Sequence, residues 1–354
     1  MQDKEQTPPR TDVNELGEFG LIEHLTRDFP HLQGSTVKGV GDDAAVLSYC
    51  GEKGPHTLVS TDSLIEGIHF DLSYTPLMHL GYKAVIVNLS DIYAMNAHPT
   101  QITFSFGISN RFSVEAMEEI YKGVRKACEL YKVDLVGGDT TSSPRGLVLQ
   151  VTALGKAFPE KIAYRSGAKE GDIICITGNL GAAYVGLQIL EREKQVQLAA
   201  PGAKAELEQY SYLIERQLKP EARKDMIRFF EKSDLKPTSM IDISDGLASD
   251  LFHLCRQSGL GAYLEESGIP MHPDMEMAAL DLKLPPLTCA LSGGEDYELL
   301  FTIDPGDLNK VKFLPDIYIA GEMVSKKDGL TLHTTGGKVV PLKAQGWQHF
   351  GKED

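Results

Sequence analysis

The sequence predicts an α+β protein with two domains. Its 354 residues exceed what one hydrophobic core commonly organises. Helix-like and strand-like segments interleave without a regular strand–helix–strand repeat, which disfavours a doubly wound parallel fold. Residues 155–171 are polar, basic and contain several glycines, so they predict the domain boundary. We therefore expect an N-terminal domain with a mixed sheet over residues 14–155 and a C-terminal α/β domain over residues 156–354.

The N-terminal domain follows a tail, residues 1–13, which is polar, contains two prolines and is expected to be flexible. Apolar residues at helical spacing predict a helix over residues 14–29. Residues 101–109 alternate apolar and polar side chains, as a half-buried strand does. The remaining predicted elements are strands at 44–49 and 56–61, a long buried helix at 74–98, a helix capped by Ser113 and ending near residue 131, and strands at 134–136 and 146–154.

The C-terminal domain is predicted to mix strands and helices. An apolar run at residues 173–177, followed by a glycine turn, predicts its first strand. The later predicted elements are helices at 182–192, 203–217 and 220–230, a strand at 240–243, a helix at 247–257, and strands at 298–303 and 317–320.

Composition excludes several classes of protein. A formal charge of −15 and the lack of a long basic run argue against binding to nucleic acid. The longest apolar runs are too short to cross a membrane, and the polar start does not resemble a secretory signal. Five scattered cysteines form no CxxC pair, which disfavours disulfide and zinc frameworks and favours a cytoplasmic location.

Aspartates recur at the ends of apolar, strand-like runs, each beside Gly, Ser or Thr. The motifs are VGDDAAV with Asp42 and Asp43, VSTDSL with Asp62, NLSDIYAM with Asp91, LVGGDTTSS with Asp139, and IDISDGL with Asp242 and Asp245. A single such aspartate is usually a helix cap or turn residue, the interpretation adopted for Asp250, Asp281 and Asp304. The set of five motifs instead predicts one convergent site.

A convergent set of carboxylates requires cations. Two carboxylates about 4 Å apart repel by roughly 4 kcal/mol at an effective dielectric near 20. Near the motifs, Lys83 and Arg165 are the available basic residues, which are too few to offset this charge. Because Mg²⁺ commonly bridges carboxylates to substrate phosphates, the cluster is a candidate magnesium and phosphate site.

Other nucleotide-binding motifs are weaker. GVGDDA at residues 39–44 matches the GxGxxA pattern of dinucleotide-binding folds, but its two carboxylates would occupy the approach of a pyrophosphate. No GxxxxGK[ST] P-loop occurs. TGNLGAA at residues 177–183 could offer amides to an anion, although a tight turn is the favoured interpretation.

A few further residues are candidates for ligand contact. His69 in EGIHF and Arg165 in AYRSGA are either surface residues or contacts to an anionic ligand. Trp347 either anchors the C-terminal segment or offers its face to a flat heteroaromatic substrate. Acidic residues that serve equally well as ligands or caps follow the glycine pair of SGGEDYELLF, namely Glu295, Asp296 and Glu298.

Taken in order, these motifs resemble the thiamine-monophosphate kinase family of the PurM-like (aminoimidazole ribonucleotide synthetase) superfamily. The resemblance runs from GEFGLIEHL to GWQHF, nearly the whole chain. It rests on VGDDAAVL, STDSLIEGIHF, KAVIVNLSDIYAM, GGDTTSSP, RSGAKEGD, DISDGLASDL and SGGEDYELLF. It implies a two-domain PurM-like architecture, transfer of the γ-phosphoryl group of ATP to thiamine monophosphate, and a homodimer. In that dimer the N-terminal sheets pair and the C-terminal domain closes over the nucleotide.

The resemblance also implies roles for individual residues. The implied magnesium ligands are Asp43, Ser60, Thr61, Asp62, Asp91, Asp139, Asp242 and Asp245. The implied nucleotide contacts are Tyr121, Gly138, Asp139, Arg165 and Ser244, and the implied substrate contacts are His69, Glu295 and Trp347. Tyr93 and Asn96 depart from the family pattern, which has a small residue and a glycine there. Asn tolerates a left-handed turn, so we expect the fold to survive.

The chemistry of the substrate predicts a direct mechanism. A phosphate oxygen is already anionic, so its attack on ATP needs positioning and charge neutralisation rather than a strong base or a phosphorylated enzyme. Two alternatives stay open: another ATP-using enzyme of the superfamily, and a non-catalytic divalent-metal-binding protein.

Overall fold

Two seven-stranded sheets organise the chain, which the computed structural model describes over residues 13–51, 53–202 and 207–343. The first sheet contains β1 (Thr36–Lys38), β2 (Ala45–Leu47), β3 (His56–Ile65), β4 (His98–Ile108), β5 (Asp134–Gly137), β6 (Thr140–Ser142) and β7 (Val148–Ala157). Its order is β1-β2-β3-β7-β4-β5, with β6 also paired to β4. β5 and β6 run parallel to β4, whereas the other pairs are antiparallel, so the sheet is mixed as predicted.

Three helices accompany the first sheet: α1 (Val13–Thr26), α2 (Leu77–Ala94) and α3 (Val114–Tyr131). Most of α2 is buried on all sides, as expected for a helix that is apolar around its circumference. α2 and α3 approach closely because glycines face each other's backbone; a Cβ atom added to Gly123 would lie 1.9 Å from the carbonyl oxygen of Met78. The predicted cap of α3 is confirmed, since Ser113 Oγ accepts a hydrogen bond from the backbone N–H of Ala116.

The second sheet is built from the C-terminal half. Its strands are β8 (Ile173–Thr177), β9 (Ser239–Asp242), β10 (Gly261–Glu265), β11 (Leu299–Ile303), β12 (Ile317–Val324), β13 (Leu330–His333) and β14 (Val339–Pro341). They follow the order β14-β13-β10-β12-β8-β11-β9. The helices are α4 (Ala182–Ala199), α5 (Ser211–Leu218), α6 (Lys224–Ser233), α7 (Leu247–Ser258), α8 (Pro273–Asp281), α9 (Pro286–Ser292) and α10 (Leu308–Val311).

A continuous apolar core joins the two halves. Phe230 of α6 packs edge-on against Phe301 of β11, with ring centroids 5.3 Å apart, and both belong to the cluster that also contains Phe104 of β4. α2 and β9 also contact each other, since Ser90 of α2 forms a hydrogen bond with Asp242 of β9. The predicted two-domain α+β architecture is confirmed, whereas the domain bounds 14–155 and 156–354 stay a prediction. Among the described helices, none combines the length and the apolar character that a membrane span requires.

Several predicted elements differ from the structure in extent. The helix expected at 220–230 begins at Lys224 and ends at Ser233, and Arg223 directly before it donates its guanidinium to Glu298. The helix expected at 203–217 begins at Ser211 after a 3₁₀ turn, and residues 203–206 of that prediction lie outside the described part. α4 runs seven residues beyond the predicted end at 192, since strong helix formers continue there. The sequence predictions missed β1, β6, β10, β13, β14, α8, α9 and α10.

The two departures from the family pattern are accommodated. Asn96 adopts the expected left-handed conformation, with φ 53°, and its side-chain amide donates to the carbonyl oxygen of Lys161. Tyr93 is buried in α2 and packs against Tyr131, with ring centroids 6.2 Å apart. It therefore lies in the core and does not alter the shape of the site.

Candidate active site

Three aspartates from separate segments meet at one place. Asp43 precedes β2, Asp91 lies near the end of α2, and Asp242 ends β9. One carboxylate oxygen from each lies within 4.8 Å of the other two. Asp43 and Asp242 are buried, and Asp91 is half-buried. The fold thus brings together residues that are nearly 200 positions apart along the chain.

Hydroxyl groups orient two of these carboxylates. Ser60 of β3 donates to Asp91, and Ser90 of α2 donates to Oδ2 of Asp242 at 2.6 Å. The N-terminal half thereby supplies a hydrogen-bond donor to the Asp242 side chain of the C-terminal half. These bonds fix the direction in which each carboxylate presents its remaining lone pairs.

Arg165 is the basic side chain that contacts the cluster. Its Nη2 and Nε lie 2.6 and 3.1 Å from Oδ1 of Asp43, and its backbone N–H donates to Oδ1 of Asp42 at 3.0 Å. Oδ2 of Asp43 is buried and has no hydrogen-bond partner among the described residues. A buried carboxylate oxygen without a partner is costly, so it marks a position where another group would be stabilised.

The electrostatics of the cluster favour cations. Burial and the neighbouring carboxylates of Asp62, Asp242 and Asp43 raise the pKa of Asp91 well above its ordinary value. Burial and Asp43 raise the pKa of Asp242 to about 7. Burial also raises the pKa of Asp43, although the Arg165 guanidinium opposes this shift. Buried, closely spaced oxygen donors fit a hard divalent cation, and Mg²⁺ in particular prefers carboxylate oxygens.

The cluster opens into a large cavity between the two halves of the chain, of about 1840 Å³. The other predicted site residues that line this cavity are Ser60, Thr61, Asp62, His69, Arg165, Ser244, Asp245 and Glu295. α1 borders the cavity on one side, where the Phe19 and His253 rings contact each other at a tilt of 43° with centroids 3.9 Å apart. A volume of this size accommodates a nucleotide together with a second small molecule.

His69 and Glu295 both line the cavity and are held by their own contacts. His69 Nδ1 accepts a hydrogen bond from the backbone N–H of Ile65 at 3.0 Å, so the ring is held in place. Glu295 forms an ion pair with Lys83 of α2 at 2.9 Å. The two basic residues predicted to serve the site therefore each pair with an acidic residue, Arg165 with Asp43 and Lys83 with Glu295.

Tyr121, Gly138 and Asp139 are not among the residues that line the cavity. Asp139 is exposed between β5 and β6 and lies beyond β7 and β4 from the strand that carries Asp62. Three strand spacings separate the two segments by roughly 14 Å. Tyr121 of α3 packs edge-on against Phe104 of β4. Trp347 lies outside the described residues.

The acidic residues after the glycine pair have different roles. Asp296 accepts a hydrogen bond from the backbone N–H of Gly181 at the start of α4, so it is a cap. Glu298 is buried between Arg216 and Arg223, at 3.1 and 2.7 Å, and is a structural ion-pair partner. TGNLGAA forms a turn with positive φ angles at Gly178 and Gly181. The Gly181 N–H donates to the Asp296 carboxylate and is therefore not available to a bound anion.

Besides Ser90, whose hydroxyl donates to Asp242, two further site residues were missed in the sequence. Asn88 of α2 is buried, and its Oδ1 accepts from the backbone N–H of Asp62 at 2.8 Å. Gln217 of α5 lines the cavity and donates to Glu295 at 2.6 Å. A polar residue within an otherwise apolar helix was the available signal for Asn88; Gln217 gave none. Asp250, interpreted as a cap, does accept from the Gly246 N–H at 3.1 Å.

Comparisons with known proteins agree with this arrangement. Residues 41–157 match the family model "AIR synthase related protein, N-terminal domain". The thiamine-monophosphate kinase of Aquifex aeolicus is 34% identical over 339 residues, which cover 96% of this chain and 99% of that protein. The enzyme of Bacillus subtilis is 32% identical, covering 95% of this chain and 100% of the relative.

A solved structure matches over almost the same extent. The structure of AaThiL complexed with AMPPCP and TMP superposes with a TM-score of 0.81 at 31% identity, covering 96% of this chain and 99% of that chain. The similarity thus extends over almost the whole of both chains. The chain belongs to the thiamine-monophosphate kinase family and has its PurM-like fold.

Proposed function

We propose that this protein is a kinase that transfers the γ-phosphoryl group of ATP to thiamine monophosphate, giving thiamine diphosphate and ADP. The observation that carries the proposal is the meeting of Asp43, Asp91 and Asp242 within 4.8 Å in a cavity large enough for both substrates. Membership of the family supports the choice of substrate. So does the related structure, which contains AMPPCP, an analogue of ATP, together with TMP.

The residues present fit magnesium. The proposed ligands are Asp43, Ser60, Thr61, Asp62, Asp91, Asp139, Asp242 and Asp245, all of which offer oxygen donors. Magnesium bound there would neutralise phosphate charge and link the ATP phosphates to the carboxylates. The partnerless Oδ2 of buried Asp43 supports this assignment, because a carboxylate in that position gains most from a cation.

Transfer is proposed to be direct. An oxygen of the thiamine monophosphate phosphate attacks the γ-phosphorus, a new P–O bond forms, and the bond from the γ-phosphorus to the bridging oxygen breaks to release ADP. Because the attacking oxygen is already anionic, the residues of the chain need only bind and align the two phosphates. Arg165 and Ser244 are proposed nucleotide contacts, and His69 and Glu295 are proposed substrate contacts; all four residues line the same cavity.

Three of the remaining contacts are proposed to belong to the site of a second copy of the chain. Asp139, Gly138 and Tyr121 do not line the cavity of their own chain, and residues 134–142 are exposed. We propose a homodimer paired through the N-terminal sheets, in which this exposed segment of one copy approaches the cavity of the other. A cytoplasmic location is proposed as well, because the five cysteines are all unpaired thiols.

The test is a coupled assay. We expect ADP release from ATP and magnesium only when thiamine monophosphate is present, with thiamine diphosphate identified by mass. Loss of the activity with EDTA and its return with excess magnesium are also expected. ADP release that does not depend on thiamine monophosphate, or binding of magnesium without turnover, would contradict the proposal. The second outcome would favour a non-catalytic metal-binding protein.

A further inference from the structure

Lys83 is a buried cation at the wall of the cavity. It lies in α2, and only 4% of its side chain is exposed. Its Nζ lies 2.9 Å from Oε1 of Glu295 and donates to the backbone carbonyl of Gln217 at 3.1 Å. Long charged side chains are rarely buried unless they are paired, so this position requires both acceptors.

The same carboxylate is held from a second direction. Gln217 Nε2 donates to Oε2 of Glu295 at 2.6 Å. Lys83 and Gln217 therefore each hold one oxygen of Glu295. The three residues come from α2, α5 and the loop before β11, so the network connects the two halves of the chain at the cavity wall. A carboxylate held at both oxygens has little freedom to rotate.

The backbone at Glu295 is also unusual. Gly294 and Glu295 have φ angles of 71° and 57°, in the left-handed region that a glutamate seldom adopts. The N–H of Glu295 donates to the carbonyl oxygen of Ser244 at 2.7 Å, and a Cβ atom added to Gly294 would lie 2.6 Å from that oxygen. Strain of this kind persists where surrounding structure enforces it, commonly at functional sites.

Glu295 still faces the cavity. Its side chain is 28% exposed, and it lines the same cavity as His69. A carboxylate has about four lone-pair positions, and two hydrogen bonds leave others available to a ligand. Thiamine monophosphate offers two suitable partners, a cationic thiazolium ring and the amino group of its pyrimidine.

We propose that Lys83 is a positioning residue that fixes the Glu295 carboxylate for recognition of the cationic substrate. The inference rests on the proposed function, since it names the residue that holds a proposed substrate contact in place. Lys83 also lines the cavity, and the proposal is that it acts through Glu295 rather than by direct contact with the substrate. Its removal should therefore weaken binding of thiamine monophosphate much more than binding of ATP.

A double-mutant cycle tests this role. We expect Lys83→Met to raise the KM for thiamine monophosphate about tenfold, which corresponds to losing one charge-assisted hydrogen bond, while the KM for ATP stays within about twofold. In the Glu295→Gln background, Lys83→Met should add little, because the residue it positions has already lost its charge. An unchanged KM for thiamine monophosphate, or full additivity in the Glu295→Gln background, would overturn the proposal. Full additivity would indicate direct contact between Lys83 and the substrate.

Further variants guard against a folding defect. Gln217→Leu removes the other hydrogen bond to Glu295 while leaving Lys83 in place, and we expect the same selective rise in KM. Lys219→Met is the matched control, because Lys219 pairs with Glu215 at 3.0 Å and is not among the residues that line the cavity. It should leave both KM values unchanged.

The two proposals fail in different ways. If the wild-type protein forms no thiamine diphosphate, the proposed function fails and this inference falls with it. If the wild type is active but folded Lys83→Met and Gln217→Leu behave like Lys219→Met, only the positioning role is refuted.

Discussion

The Asp91→Asn variant distinguishes the destabilising effect of the carboxylate cluster on the fold from its proposed role in binding magnesium. The substitution removes one charge but keeps an oxygen that can accept the Ser60 hydroxyl. Oxygens of Asp43, Asp91 and Asp242 lie within 4.8 Å of one another, where each ionised pair repels by at least about 3.5 kcal/mol at an effective dielectric near 20. Protonation relieves part of this repulsion, as the raised pKa of Asp91 indicates. We therefore expect the metal-free variant to be about 1–2 kcal/mol more stable than the wild type.

Thermal unfolding in EDTA and in magnesium measures this balance. The metal-free Asp91→Asn variant should melt a few degrees above the metal-free wild type. Magnesium should raise the melting temperature of the wild type and change that of the variant little. Kinase activity should fall at least about a hundredfold in the variant. Asp304→Asn serves as the control, because Asp304 caps a short turn through the Gly306 N–H.

The reasoning fails if Asp91→Asn destabilises the metal-free protein, since the carboxylate would then stabilise the fold by its own contacts. It also fails if the variant retains wild-type turnover. A similar response to magnesium in the wild type and the variant would place the ion elsewhere.

Three further predictions follow from individual contacts. Arg165→Met leaves the buried Asp43 carboxylate without its partner at 2.6 Å and should destabilise the metal-free protein by about 3 kcal/mol in urea unfolding; unchanged stability would contradict the pairing. Gly123→Ala forces a Cβ atom against the Met78 carbonyl and should cost about 3 kcal/mol, whereas a wild-type melting curve would show that the helices can separate. Burial raises the pKa of Asp296 to about 7 from an ordinary 3.8, so the native state binds the extra proton. The extra proton stabilises the native state fully below about pH 4, and this contribution is lost as the pH rises to about 7. Asp296→Asn should therefore reduce the dependence of the free energy of unfolding on pH between about 4 and 7, and an unchanged dependence would refute the prediction.

Local patterns in the sequence predicted the elements that position the site. The alternation in residues 101–109 and the cap at Ser113 predicted β4 and α3, and residues 173–177 form β8 as expected. The aspartate motifs could be recognised because each one ends an apolar run beside small residues. Their recurrence as a set predicted convergence, and the structure brings Asp43, Asp91 and Asp242 together.

Other features depended on distances that a sequence does not contain. Asp139 belongs to a motif like those of the cluster, yet β7 and β4 separate it from Asp62. Asp296 and Glu298 are both acidic and lie in the same motif. Only the packing of α4 and the position of Arg223 distinguish the helix cap, Asp296, from the ion-pair partner, Glu298. Gln217 carries no local signal, because its role arises from the approach of α5 to Glu295.

The most direct test of the central claim is the position of the metal. Crystals grown with Mn²⁺ in place of magnesium, together with a non-hydrolysable ATP analogue and thiamine monophosphate, would reveal each metal by anomalous scattering. The account predicts metal peaks coordinated by the carboxylates of Asp91 and Asp242 and bridged to the nucleotide phosphates. Ordered substrates with no metal at these carboxylates, or metal bound only at a distant surface, would contradict it.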